Sequence, residues 1–396
     1  SGVPRLAAFT RLFDVIRLPG REVLLERRTR GFPLIGRLTG SPWWESRDPD
    51  PPEPLSREEF LVKNRETFAK LLTPRPPDPH AEAMVKELEA EANIGRVRGP
   101  LQLPESWNVP SSATLPMIDP DLSQATPDQC AFAWGFGVEQ ITADRLKIRR
   151  GDDDKRSFLN SATQAVDRPA TCTVDDHAEH VRFLHALGLR NLVFWSHDQE
   201  AAYRFWPIAM IELACVLLKG KNGMWLFQHL VLNFGSRASV WGYGQFSDSL
   251  VVFARLVLRI PMGHFVDDFE GEAPQATAQG AFEAFEDLGE LLGWPMKPAK
   301  RQPPAAEQVS LVTLRTFHAE ADELVIAPKP GRLDDLSAAF KGHLATERLR
   351  PADSGVLAGK STFVQQSACG RLGRAAVKAL YARQHAPHHE VALVPS

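Results

Sequence analysis

The chain has 396 residues, 43% hydrophobic and 24% charged, with a formal net charge of −3. Such a composition suits a globular protein with a sizeable core and argues against a uniformly basic nucleic-acid binder. No run of about 18 apolar residues occurs, which excludes a transmembrane helix and any membrane partner of that kind. Length alone implies about two to three domains.

Residues 1–20 lack the apolar core of a signal peptide, because Arg5, Arg11, Asp14 and Arg17 interrupt every apolar stretch. A start at Ser1 rather than Met leads to the expectation that the chain is a piece of something longer. Cys130, Cys172, Cys215 and Cys369 form no CxxC pair, so free thiols in a reducing, intracellular setting (cytoplasm or nucleus) are expected. Charge is uneven: residues 1–40 carry eight Arg against three acids, and residues 341–396 carry eight Lys or Arg against three acids. Basic ends around a more acidic middle suit a protein that grips phosphates and holds metal centrally.

In chain order, residues 1–40 show no clear period and suggest no fold. Ser41–Ser56 holds five prolines and predicts an extended linker. Ser56 with Glu59 is a capping-box pattern opening a helix to about Leu72. An Ala- and Glu-rich segment from His80 to Asn93 predicts a second, solvent-exposed helix. From Gly95 to Pro120 the texture is loop and edge strand. Lys147-Ile148-Arg149 then begins a strand that runs into the acidic turn Asp152-Asp153-Asp154.

Helical period returns from Asp175 to Leu187, with Gly188 as a stop. Leu192-Val193-Phe194-Trp195-Ser196-His197-Asp198 is an apolar strand ending on a carboxylate, followed by a helical turn around Glu200–Arg204. Asn222-Gly223 between two apolar runs predicts a hairpin. A long helix should run from near Phe234 to about Leu258. Phe265-Val266-Asp267-Asp268-Phe269 predicts a tight hairpin with two acids at its tip, where Asp is tolerated because its side chain can bond nearby backbone. A further helix then carries Phe282, Phe285, Leu288 and Leu291 to the terminator Gly293-Trp294-Pro295. These elements make an α+β chain of antiparallel strands with helices on one face.

Two strands delivering Asp198, Asp267 and Asp268 to one place can hold a pair of divalent metals. Taken in order, these motifs resemble a reverse transcriptase, over roughly residues 95–320. His197-Asp198-Gln199-Glu200-Ala201-Ala202-Tyr203 is similar to the first palm motif, and Asn233-Phe234-Gly235 to the second. Phe265-Val266-Asp267-Asp268 is similar to the metal-binding hairpin, Leu292-Gly293-Trp294 with Lys300 to the motif after it, and Lys147-Ile148-Arg149 to the basic fingers strand. The Ala-Tyr-Arg and Trp-Pro variant is most similar to enzymes of retrotransposons, the DIRS-like class among them.

The resemblance implies right-hand polymerase fingers and palm over 95–320, a basic helical thumb or connection over 321–396, and an N-terminal extension over 1–94. It implies RNA-directed DNA polymerase activity on an RNA or DNA template with primer, using dNTPs, within a longer polyprotein. Two Mg²⁺ ions, replaceable by Mn²⁺, would sit about 3.5–4 Å apart on Asp198, Asp267 and Asp268. Lys147 and Arg149 would meet the triphosphate, Tyr203 would exclude a 2′-hydroxyl, Phe234 and Gly235 would border the nucleotide, and Lys300 would reach the pyrophosphate. The chain departs from the family at Asn233 (usually Pro), at Arg150-Gly151, at the extra acid Glu270, and at Gln308–Val312, which lacks a Leu-Gly pair. The alternatives are an inactive palm kept for nucleic-acid binding or scaffolding, and an unrelated α+β protein whose Asp-Asp turn binds one structural cation.

Other signals carry less. Gly355–Ser361 falls one residue short of P-loop spacing, with Ser354 where Gly is needed. Cys172, His177 and His180 are zinc-ligand types at close spacing, but no fourth ligand is evident nearby.

Overall fold

A computed structural model describes residues 4–47, 52–71, 76–101, 129–141, 146–220, 223–310, 313–368 and 373–386. They form an α+β protein that divides into two compact units. One is drawn from residues 1–170, 200–250 and 291–294, the other from 171–199, 251–290 and 295–396.

The first unit is built on a mixed five-stranded sheet, in the order Val97–Leu101, Gly223–His229, Cys215–Gly220, Phe132–Ile141, Leu146–Asp152. All its pairings are antiparallel except that of Phe132–Ile141 with Cys215–Gly220. The expected Asn-Gly hairpin is present, with Gly223 opposite Gly220; residues 221–222 and the predicted loop over 102–128 lie outside the described residues. The capping box forms as expected: the Ser56 N–H donates to Glu59 at 2.9 Å, and the Glu59 N–H donates to Ser56 Oγ at 3.2 Å. It opens the helix Arg57–Leu71.

Two expectations fail in this unit, and one stretch that suggested no fold finds its place. The helix Ala81–Asn93 is not solvent-exposed. Met84, Val85 and Leu88 form a stripe at i, i+1 and i+4 that packs on Val97, Val216, Leu218 and Phe227. The supposed linker is anchored, because Trp44 is buried with its indole N–H on the Asp248 carboxylate, and Glu45–Ser46 pairs with Asp167–Arg168. Residues 1–40 supply core: Phe9 and Phe13 of the helix Leu6–Val15 join Trp206, Phe246 and Trp294 in one aromatic cluster, with Trp206 and Phe246 stacked at 3.8 Å. Arg27 is not a free cation either. It is buried over the Trp241 ring and donates to Gln245 at 3.0 Å.

The second unit centres on an antiparallel four-stranded sheet, in the order Met262–Phe265, Asp268–Pro274, Leu192–Asp198, Gln302–Ala305. All seven residues of Leu192–Asp198 are buried, so both faces of the sheet need cover and helices pack on both, not on one. Val193, Trp195 and His197 face the helix Gln275–Leu292 through Ala278, Phe282 and Phe285. Leu192 and Phe194 face Val181 and Leu184 of the helix Val174–Ala186, together with Phe317. The buried stripe of the first of these helices closes on Leu292, because at 3.6 residues per turn Leu291 has rotated into solvent.

The long helix beginning at Arg237 is α-helical to Phe253 and π-helical across Ala254–Leu258. Beyond the sheet, Glu307–Ser310, Thr313–His318 and Glu323–Pro328 form a second antiparallel sheet. The helices Arg332–Thr346, Pro351–Gln365 and Lys378–Gln384 follow. Gly355–Ser361 lies inside the middle helix and is therefore no phosphate loop.

Candidate metal centre

Alternation in the Leu192–Asp198 strand puts Leu192, Phe194, Ser196 and Asp198 on one face. The neighbouring strand pairs Asp268 directly with Asp198. Residues opposite one another in an antiparallel pair hold their Cβ atoms about 4.5–5.5 Å apart on the same side, so the two carboxylates are neighbours by register. Phe265 pairs with Asp268, which leaves Val266-Asp267 as a two-residue turn. The Asp267 carbonyl accepts from the Gln199 N–H at 2.8 Å, tying the turn to the end of the Asp198 strand.

Val266 adopts φ 57°, a region a β-branched side chain enters at a cost of about 1–3 kcal/mol. The His264 ring donates from Nδ1 to the Val266 carbonyl at 2.9 Å and helps hold that geometry. Strain of this kind, held beside two acids, is a reason to look for function at the turn.

Burial and the charges of Asp267, Asp198 and Glu270 push the Asp268 carboxyl up to about 7, with Lys300 opposing. The centre therefore holds more negative charge than its own cation neutralises. Lys300 Nζ pairs with Asp198 Oδ2, yet the lysine side chain is 47% exposed, so it can leave without unpacking anything. The Asp198 carbonyl is fixed separately by the Lys297 N–H at 2.7 Å. Neighbouring His197 is no acid–base group at neutral pH. Burial lowers its pKa to about 4, and it stacks on Phe282 at 4.2 Å while donating to that residue's carbonyl.

Asp268, Glu270 and Glu272 share one face of their strand, an acidic ladder running from the turn into the interior. Glu270 accepts from Arg315 at 2.8 Å, from His177 Nε2 at 2.9 Å and from the Ser310 hydroxyl. Burial alone would raise its pKa, but Arg315 and then His177 and Ser310 hold it at about 2. Glu272 is held well below the usual carboxylate range, with His177 and His180 outweighing its burial. Glu272, Arg315 and the network they form were not foreseen from sequence. The available signal was three acids at alternate positions of an otherwise buried strand. Beside the network is a cavity of about 440 Å³ lined in part by Cys172, His177, Glu270, Ser310, Arg315 and Tyr381.

The remaining predicted residues belong to the first unit. Lys147 and Arg149 share a strand face opposite to that of buried Arg150 and Asp152, and Arg149 donates to Gln140 at 3.0 Å. Half-buried Tyr203 contacts Phe234 and Tyr243 with ring centroids 5.1 and 5.3 Å away. Gly235 has φ 137°, and a Cβ there would lie 2.2 Å from the Asp152 carbonyl oxygen, so its close approach is to this chain's own backbone. Asn233 has a structural reason to stand where it does. Its amide donates to Asp152 at 3.0 Å and to Asp154 at 2.9 Å, both carboxylates being buried.

Asp198, Asp267, Asp268 and Lys300 are thus brought together in one unit, and Tyr203, Phe234 and Gly235 lie near one another in the other. Among the described residues no helix is long and apolar enough to cross a membrane. No protein-family model and no curated protein matches the chain.

Proposed function

We propose that the chain is the RNA-directed DNA polymerase region of a retroelement polyprotein, with fingers and palm over residues 95–320 and a helical thumb or connection over 321–396. The register that sets Asp198 against Asp268, with Asp267 on the adjoining turn, is the observation that carries this reading. The donor set suits Mg²⁺, a hard cation that takes carboxylate oxygen. An unneutralised cluster that drives one carboxyl up to about 7 is the environment a divalent cation relieves. Asp198, Asp267 and Asp268 would hold two Mg²⁺, or Mn²⁺ in their place; when bound, such ions stabilise the attacking and leaving oxygens of an in-line displacement at phosphorus.

The protein's own groups have separable tasks. Lys300, the cation on Asp198, would be free to neutralise a leaving pyrophosphate were divalent ions to occupy that carboxylate. Lys147 and Arg149 supply further positive charge for a triphosphate. Tyr203, backed by Tyr243, is a rigid wall suited to rejecting a 2′-hydroxyl.

Primer extension on an RNA template with dNTPs and Mg²⁺ tests the proposal, comparing the parent with Asp267→Asn. Extension that disappears in the variant supports it. One observation favours the second reading, an inactive palm: the Lys300–Asp198 pair neutralises a ligand without any metal. That reading predicts salt-sensitive binding of primer–template by both proteins and extension by neither. A chain that neither extends nor binds would sink both.

A further inference from the structure

The geometry points to a second metal site of different chemistry, a zinc-type centre formed by His177, His180 and Glu272. The two histidines stand at i and i+3 on the helix Val174–Ala186 and meet Glu272 from the acidic ladder. One ligand atom from each of the three lies within 4.8 Å of the others. His180 Nδ1 is 2.8 Å from Glu272 Oε2, and His177 Nδ1 touches Glu272 Oε1. Tetrahedral zinc with bonds near 2.0–2.2 Å sets its ligand atoms roughly 3.3–3.6 Å apart, so side-chain shifts of an ångström or so complete the site. Nitrogen donors favour zinc over the Mg²⁺ suited to the all-oxygen acids at the turn.

Nδ1 of His177 faces Glu272, while one Arg315 guanidinium nitrogen lies 2.7 Å from Nδ1 and 3.0 Å from Nε2, and so rests against the ring, not on a single lone pair. A divalent ion on Nδ1 would stand where the proton between His177 and Glu272 now stands, and lone pairs from two imidazoles and a carboxylate would converge on it.

His177 Nε2–H meanwhile donates to Glu270 at 2.9 Å, the carboxylate–histidine support that orients metal-binding imidazoles. Glu270 is braced in turn by Arg315 and Ser310. Arg315 can yield its 3.3 Å contact to Glu272 and retain Glu270 at 2.8 Å and Gln308 at 2.7 Å. Exposed Arg255, now 3.1 Å from His180 Nε2, gives up that contact when that nitrogen takes the proton and keeps its Nε–H on the Met262 carbonyl at 2.7 Å. The neighbouring cavity is lined by His177 alone of the three ligands and is the side from which an ion and a fourth, water ligand would come.

The test uses the full chain. It is purified, stripped and titrated with Zn²⁺ alone, then with Co²⁺, whose visible bands report a four-coordinate nitrogen–oxygen site. The inference expects about one tightly held ion per chain and bands that persist in Asp268→Asn. In His180→Ala and Glu272→Gln, affinity should fall by about tenfold or more. Near-ultraviolet circular dichroism checks that these variants fold; if they do not, the parent's own cobalt spectrum decides. Absence of both bands and retained zinc in the parent overturns the inference. So do bands of equal strength in folded His180→Ala, which would put the ion elsewhere.

Discussion

Asp268→Asn makes the electrostatics of the turn measurable. The Asp268 carboxyl is raised from a usual 3.8 to about 7 in the folded chain. The folded state therefore keeps a proton that the unfolded state has already released. The stability this proton confers is fully present below about pH 4, drains away as pH rises, and is gone once the folded carboxyl ionises near pH 7. A shift of about three units at ~1.4 kcal/mol each makes the full effect on the order of 4 kcal/mol. Asparagine carries no charge to repel Asp198 and Asp267.

The variant should thus be more stable than the parent in metal-free buffer, with a gap that widens by roughly 2–3 kcal/mol between about pH 5 and about pH 8. Hydrogen exchange across Leu192–Asp198 at rising urea reads this unit without averaging over the other. Mg²⁺ at a hundredfold excess over its Kd should then return about 2.7 kcal/mol to the parent near pH 8 and little to the variant. A gap independent of pH would refute the reasoning, since the three acids would then not be electrostatically coupled in the folded chain.

Lys300→Ala removes the cation that favours ionisation of Asp268, so proton release from that carboxyl, followed by carbon NMR, should move to higher pH. Val266→Gly relieves the positive φ and should raise the urea midpoint of this unit by the equivalent of about 1 kcal/mol. In the first unit, Asn233→Leu strips two buried aspartates of their shared donor and should cost about 2–3 kcal/mol in equilibrium unfolding. Phe9→Ala, which empties part of the aromatic core, should cost about 3–5 kcal/mol by the same measurement.

The acids at the turn were legible from sequence because turn chemistry and strand ends are local. Asp267-Asp268 stands between apolar flanks, and Asp198 closes an apolar run. What surrounds them was not legible, because it depends on pairings across long separations. Glu272 meets His177 from 95 residues away, and Arg315 meets His177 from 138. The histidines were visible as candidate ligands and were set aside for want of a partner that only strand pairing supplies. Phe9 looked unplaceable because its companions Trp206, Phe246 and Trp294 are distant in the chain. The helix Ala81–Asn93 misled through composition, since Ala and Glu dominate it while its three packing residues occupy a narrow stripe.

The acidic ladder also acts as a ratchet against misalignment. Side chains alternate along a strand, so a slip by one residue sends each of them to the opposite face. For the strand Asp268–Pro274 this would drive Asp268, Glu270 and Glu272 into the layer of Trp195, Phe282 and Phe285, and would turn Phe269 toward His177 and Arg315. Three carboxylates in an aromatic layer would lose Arg315 and both histidines, leaving Arg301, already paired with Glu286, over the Phe282 ring, and an isolated buried charge costs several kcal/mol. A slip by two keeps the faces but pairs Glu270, in place of Asp268, with Asp198, leaving Arg315 and the two histidines one rung out of step. The polar partners far from the turn thereby help decide which residue stands opposite Asp198.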